Sequence, residues 1–124
     1  MSILLNLAHR NAIAGFTGGR FDGGSLVIRD SSNDVLAELA PLPTPAFGSP
    51  SGGSVEGSWS VPSVASGAPD NFVVANASGT ETRSGSAGAV GSGAVMAIAD
   101  LEDGQIVEGR DVAVTYTITQ PSGE

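Results

Sequence analysis

The chain predicts an all-β fold, an antiparallel β-sandwich or barrel-like domain with a short N-terminal helix or arm. Three observations carry that expectation. The segment 111–119 alternates Val112, Val114, Tyr116 and Ile118 with Ala113, Thr115, Thr117 and Thr119, which gives a strand one large apolar face and one small polar face. Several further runs of strand length follow one another, with glycine, proline and short polar clusters between them, the spacing of a sandwich or barrel. Glycine is abundant, at 18 of 124 residues, which favours turns over long helices.

Taken in order, residues 2–14 are the one helix candidate. Ser2 suits the N-cap, Gly15 the left-handed residue past the end, and Leu4, Leu7, Ala8 and Asn11 or Ala12 fall at helical spacing. About three turns are marginal in isolation because nucleation is costly, so this helix must dock on its own sheet or on a partner. Residues 15–24, with glycine pairs at 18–19 and 23–24, read as a hinge. Domain organisation follows: an arm and hinge over 1–24, a β domain over 25–120, and a fraying tail over 121–124.

Residues 25–30 and 35–40 form a hairpin around Ser31-Ser32-Asn33-Asp34. Between 41 and 69 lie six of the seven prolines, which disfavours central strands. Within that stretch, residues 54–61 still alternate Val55, Gly57, Trp59 and Val61 with Ser54, Glu56, Ser58 and Ser60, a strand with Trp59 on its buried face. The rest is loop, anchored at Phe47 and Trp59. Residues 71–75 and 80–86 predict a second hairpin around 76–79. Residues 85–93 read as a turn or a plain β segment, 94–101 as an apolar run of strand length, Asp103-Gly104 as a turn and 105–107 as a short strand.

Thirteen acids stand against five bases, all arginine, for a formal charge of −8. Such a surface repels phosphate backbones and anionic membranes, so neither direct nucleic-acid binding nor membrane binding is expected. The absence of cysteine excludes disulfides and thiolate metal sites. No basic leader opens the chain, and no apolar run nears the ~20 residues that span a bilayer. A soluble protein without a visible export signal is expected.

Candidate chemistry is sparse. His9 is the only histidine, and no Gly-x-Ser-x-Gly elbow is present, which leaves a catalytic triad without its parts. Residues 18–25 have the glycine spacing of a phosphate loop, yet Gly24 occupies the place of the essential lysine. Asp100, Glu102, Asp103, Glu108 and Asp111 can offer oxygen ligands to Ca²⁺ or serve as solvated turn acids. Asp100 with Glu102, or Glu38 with Glu56, are formal carboxylate pairs that nothing in the sequence brings across a cleft. Asn76-Ala77-Ser78 matches a glycosylation acceptor and also a hairpin turn. Trp59 and Phe47 suit a ligand groove or, in a chain this poor in aromatics, core or interface anchors. No enzyme activity and no cofactor are expected.

Several segments in fixed order carry a resemblance. Asn11-Ala12-Ile13 is followed by Gly23-Gly24-Ser25-Leu26-Val27-Ile28, by Val35-Leu36-Ala37-Glu38-Leu39, by Pro45-Ala46-Phe47-Gly48 with Gly52-Gly53, and by a closing strand over 109–119. The order resembles that of small β-rich structural proteins of tailed bacteriophages, most like capsid decoration (cement) proteins. The first hairpin is shorter than in that pattern, and Phe72-Val73-Val74 lacks its arginine. The resemblance implies a virion protein on the capsid exterior, assembled in the host cytoplasm, that binds and stabilises the major capsid protein and associates with itself. Its implied contact residues are Leu4, Leu7, His9, Arg10 and Asn11 on the arm, Phe16 and Arg20 in the hinge, and Phe47. A tail, neck or fibre-associated virion protein and a carbohydrate-binding or adhesion module stand beside it as alternatives.

Overall fold

A computed structural model describes residues 12, 15–43, 45–52 and 54–119, residue 119 through its backbone alone. The fold is all-β. Seven strands, β1 (Ser25–Arg29), β2 (Val35–Leu39), β3 (Ser54–Pro62), β4 (Asn71–Ala75), β5 (Thr82–Ala89), β6 (Met96–Ile98) and β7 (Asp111–Thr119), form one sheet in the order β2-β1-β4-β5-β6-β7-β3. The sheet curls until its two ends meet. Ala37 of β2 bridges Ser63 just past β3, and the Val64 and Ala65 N–H groups donate to the Leu36 carbonyl at 2.8 and 3.2 Å. The result is barrel-like.

Alternation produces the core directly. Val112, Val114, Tyr116 and Ile118 are buried along β7, as are Val55, Trp59 and Val61 along β3, and the two strands pair over their whole length. Burial of each large side chain contributes roughly 1.5–3 kcal/mol before entropy is set against it. Leu26 and Ile28 of β1 and Phe72 and Val74 of β4 supply the facing wall.

Both expected hairpins form. In the first, Asp30 Oδ1 accepts from the Ser32 and Asp34 N–H groups, and Asn33 sits at φ 65°, an Asx-type turn. In the second, β4 and β5 pair from Asn71–Ser86 to Ala75–Thr82, and Asn76 Oδ1 accepts from the Glu81 N–H.

Three details differ from the sequence expectation. The sheet is mixed, because β5 and β6 run parallel. Such a connection ordinarily needs a dozen residues or more; here Gly91 and Gly93, both at φ 86°, fold residues 90–95 back tightly. The apolar run 94–101 gives only three strand residues, and 105–107 gives isolated bridges, Gly67 to Ile106 and Glu102 to Gln105. Finally, helix is present at Ala12, within the expected span, and over residues 15–19, past the glycine expected to stop it. Of the expected helix 2–14 only Ala12 lies within the described residues. Packing explains two of the helical glycines, since a Cβ at Gly15 would lie 2.9 Å from Pro50 and one at Gly18 3.1 Å from both Phe47 and Val55.

Candidate functional site

The registers bring Ser25, Leu39, Ser54, Ala75, Thr82 and Thr119 to one end of the barrel, here called the base. Two segments plug it. Residues 15–24, expected as a hinge, insert Phe21 into the core, and Gly24 lies so close to the Ala75 carbonyl that no side chain fits there. Residues 41–50 complete the plug. The Leu42 N–H donates to Gly24 O at 2.8 Å, the Ala46 N–H to Asp22 Oδ1 at 2.7 Å, and the Gly48 N–H to Glu56 O at 2.8 Å. Within 18–25, Gly18 and Gly24 thus serve close packing and Gly23 a left-handed turn at φ 72°.

Phe47 is the centre of this plug. Its ring meets Phe21, Trp59 and Tyr116 edge to face, with centroids 6.4, 5.3 and 5.9 Å away, within the favourable range for aromatic pairs. At 5% exposure it is a core residue and not a surface contact. Trp59 is 6% exposed and donates its Nε1–H to Ala46 O at 2.9 Å, so its indole face is not open to a sugar ring. A lone phenylalanine among prolines was the available sign that this loop is nailed to the core.

Phe16 and Arg20 lie where a partner can reach them. Phe16 is 68% exposed, the Arg20 guanidinium stands 5.3 Å from its ring centroid, and Arg20 pairs with Glu81 just ahead of β5. Leu4, Leu7, His9, Arg10 and Asn11 lie outside the described residues. Of the expected contacts, then, two sit together on the rim of the base and one is internal.

At the opposite end, Asp100, Leu101, Glu102, Arg110 and Asp111 line an open hollow of about 510 Å³. Arg110 Nη1 donates to Glu102 Oε2 at 2.8 Å, and Asp103 and Gly104 make a turn at φ 51° and 77°. Among the described residues no three acidic or histidine side chains come together as a metal site. No described helix is long and apolar enough to cross a membrane.

One polar contact had no signal in the sequence. Arg83 Nε donates to the hydroxyl of the buried Tyr116 at 3.0 Å. Alternation places Tyr116 inside, but which residue satisfies its hydroxyl depends on how β5 and β7 are set across the barrel. Comparison with protein-family models, with curated proteins and with solved structures finds no match to this chain.

Proposed function

We propose that this chain is a bacteriophage virion structural protein, a capsid decoration protein that binds the outside of the major capsid shell and stabilises it. What supports the reading is that the segments of the resemblance, in their order, serve one packed body. Gly24 admits the Ala75 carbonyl at the start of β1, Val35-Leu36-Ala37-Glu38-Leu39 is β2, Pro45-Ala46-Phe47-Gly48 is the plug of the base, and 111–119 is β7. The acidic surface suits a protein kept off the packaged DNA and soluble until it joins a shell. Many weak contacts on a repeating lattice then add up through avidity. Phe16 and Arg20, with the arm ahead of them, are the contact residues of this proposal, and Phe47 is not.

Cryo-electron microscopy of shells assembled with and without the chain tests the proposal. Added density should repeat at lattice points over the shell. Density confined to the neck or tail, or none on the particle, refutes it. A truncation used alongside must stop before Ala12, since a cut at residue 24 would strip Phe21 from the core.

A further inference from the structure

The barrel wall is incomplete at one place. β6 separates β5 from β7 for three residues only, Ala87–Ala89 on one side and Val114–Tyr116 on the other. Just below it Val95 lies opposite Ser86 and Thr117, and from there towards the base Thr82–Gly85 of β5 and Ile118–Thr119 of β7 have strand partners on their outer sides alone among the described residues. The gap continues the line of β6, so it is one strand wide, with its walls roughly 10 Å apart at the usual strand spacing.

Both walls present main-chain hydrogen-bonding groups. The Asn76 N–H donates to Glu81 O and the Ala87 N–H to Asp70 O, both at 3.0 Å, so Glu81 and Ala87 face β4. Alternation then turns the N–H and C=O of Thr82 and Ser84 into the gap, while Ser86, facing the same way, meets β6 through its carbonyl. On β7, Glu56 faces away from its partner Thr117, because its carbonyl accepts from the Gly48 N–H, and so Thr117 turns towards Val95, and Thr119, of the same parity, into the gap.

The floor is core that reaches daylight. Arg83 and Gly85 share the inward parity of buried Ala87, yet Arg83 is exposed and Gly85 half-buried. Phe72 and Tyr116 lie beneath them. Two of the exposed large apolar residues frame the gap: Val95, 54% exposed, whose N–H donates to Ser86 Oγ at 3.0 Å, and Phe16, tied to Glu81 through Arg20. An unpaired edge of this kind is a template for another strand.

We propose that the gap is a docking slot for the N-terminal segment of a second copy of this chain. The eleven residues ahead of Ala12 reach roughly 36 Å when extended, and they carry Ile3, Leu5 and Leu7 at alternate positions. That alternation gives an added strand one apolar face for the floor. Residues 1–11 hold Arg10 and no acid, and because the slot is lined by Arg83 beside the Arg20–Glu81 pair, it is the uncharged residues 3–7 and not Arg10 that would lie in it. Among the described residues, helix is present at Ala12 and over 15–19, with Gly15 against Pro50 ahead of β3, while Arg20 past its end lies beside β5. Entry of the segment into its own chain's slot is the competing outcome, and cross-linking separates the two. Reciprocal exchange closes such a contact into a ring or dimer.

The proposal takes up the arm of the decoration reading but needs only purified protein. The chain lacks cysteine, so Ser84→Cys protein can be mixed under mild oxidation with Leu4→Cys, Asn6→Cys or Ala8→Cys protein. At least one mixture should cross-link between copies tenfold faster than Ser84→Cys mixed with Ser31→Cys. In the unmodified protein the amides of Thr82, Ser84 and Thr119 should be protected from exchange, and Leu5→Asp should lower that protection at least tenfold while the amides of β3 keep theirs. Cross-linking only within one chain, or open-chain exchange at those three amides in the unmodified protein, overturns it. Cross-linking between copies that never bind shells would sink the capsid reading and leave the slot standing.

Discussion

Along β3 and β7, every residue from Ser54 to Pro62 has a cross-strand partner, and each strand shows the core a large side chain at nearly every second position. The lower half of β5 follows the opposite pattern, with partners on one side and Arg83 and Gly85 turned inward. Each region has an inward glycine, and the two glycines are used differently. At Gly57 the missing side chain is replaced by the Trp59 ring, which lies directly over it, whereas Gly85 lies above Phe72 next to half-exposed Val95. A strand seals a barrel when its inward positions carry volume or borrow it. Where they carry neither, the wall stays open.

Substitutions can break or sharpen that contrast. Tyr116→Asp should have the largest effect, because it buries a charge between Phe47 and Phe72; a loss of more than about 4 kcal/mol, with no cooperative melt, is expected in thermal unfolding. Gly57→Ala should come next, since its methyl collides with Trp59; overpacking of this kind costs about 1–3 kcal/mol, read from denaturant midpoints. Gly85→Ala is the paired control. Its methyl would meet Phe72 at 3.2 Å and Val95 at 3.3 Å, and Val95 has room to yield, so the loss should stay below about 1 kcal/mol. If the two glycines cost the same, the distinction between sealed and open wall is wrong.

Tyr116→Phe removes the acceptor of Arg83 Nε. A loss of about 0.5–1.5 kcal/mol is expected, at the low end because exposed Arg83 can turn to water. The smallest effect belongs to Arg110→Ala, which deletes an exposed pair with Glu102. Its melting temperature should match the parent's within about 0.5 kcal/mol of stability.

What the residues disclosed in advance follows the same divide. β7 and β3 were legible almost to the residue because their alternation is strict, and both hairpins were legible from their polar turns. The Gly-Ser-Ala stretch of β5 gave no such sign: its strand state comes from pairing with Phe72 and its neighbours, not from its own propensity. Phe47 was legible as an anchor of its loop but was also implied as a contact residue by the resemblance, and the four backbone and indole hydrogen bonds that fix this loop, with Phe47 inside, are set by distant partners. The slot was invisible for a similar reason, since it exists only because β6 stops after three residues between two strands far apart in the chain.

The pairing of β3 with β7 joins Pro62 to Asp111 at its near end and Ser54 to Thr119 at its far end, while β1–β2 and β4–β5 close over short turns. Loop-closure entropy grows with the length enclosed, and chains rich in distant contacts fold slowly. The two hairpins therefore assemble early, and the last wall arrives late, after most of the polypeptide has left the ribosome. Until then the greasy side of β7 is bare, and a cell making this protein in quantity must carry it through that interval before it clumps.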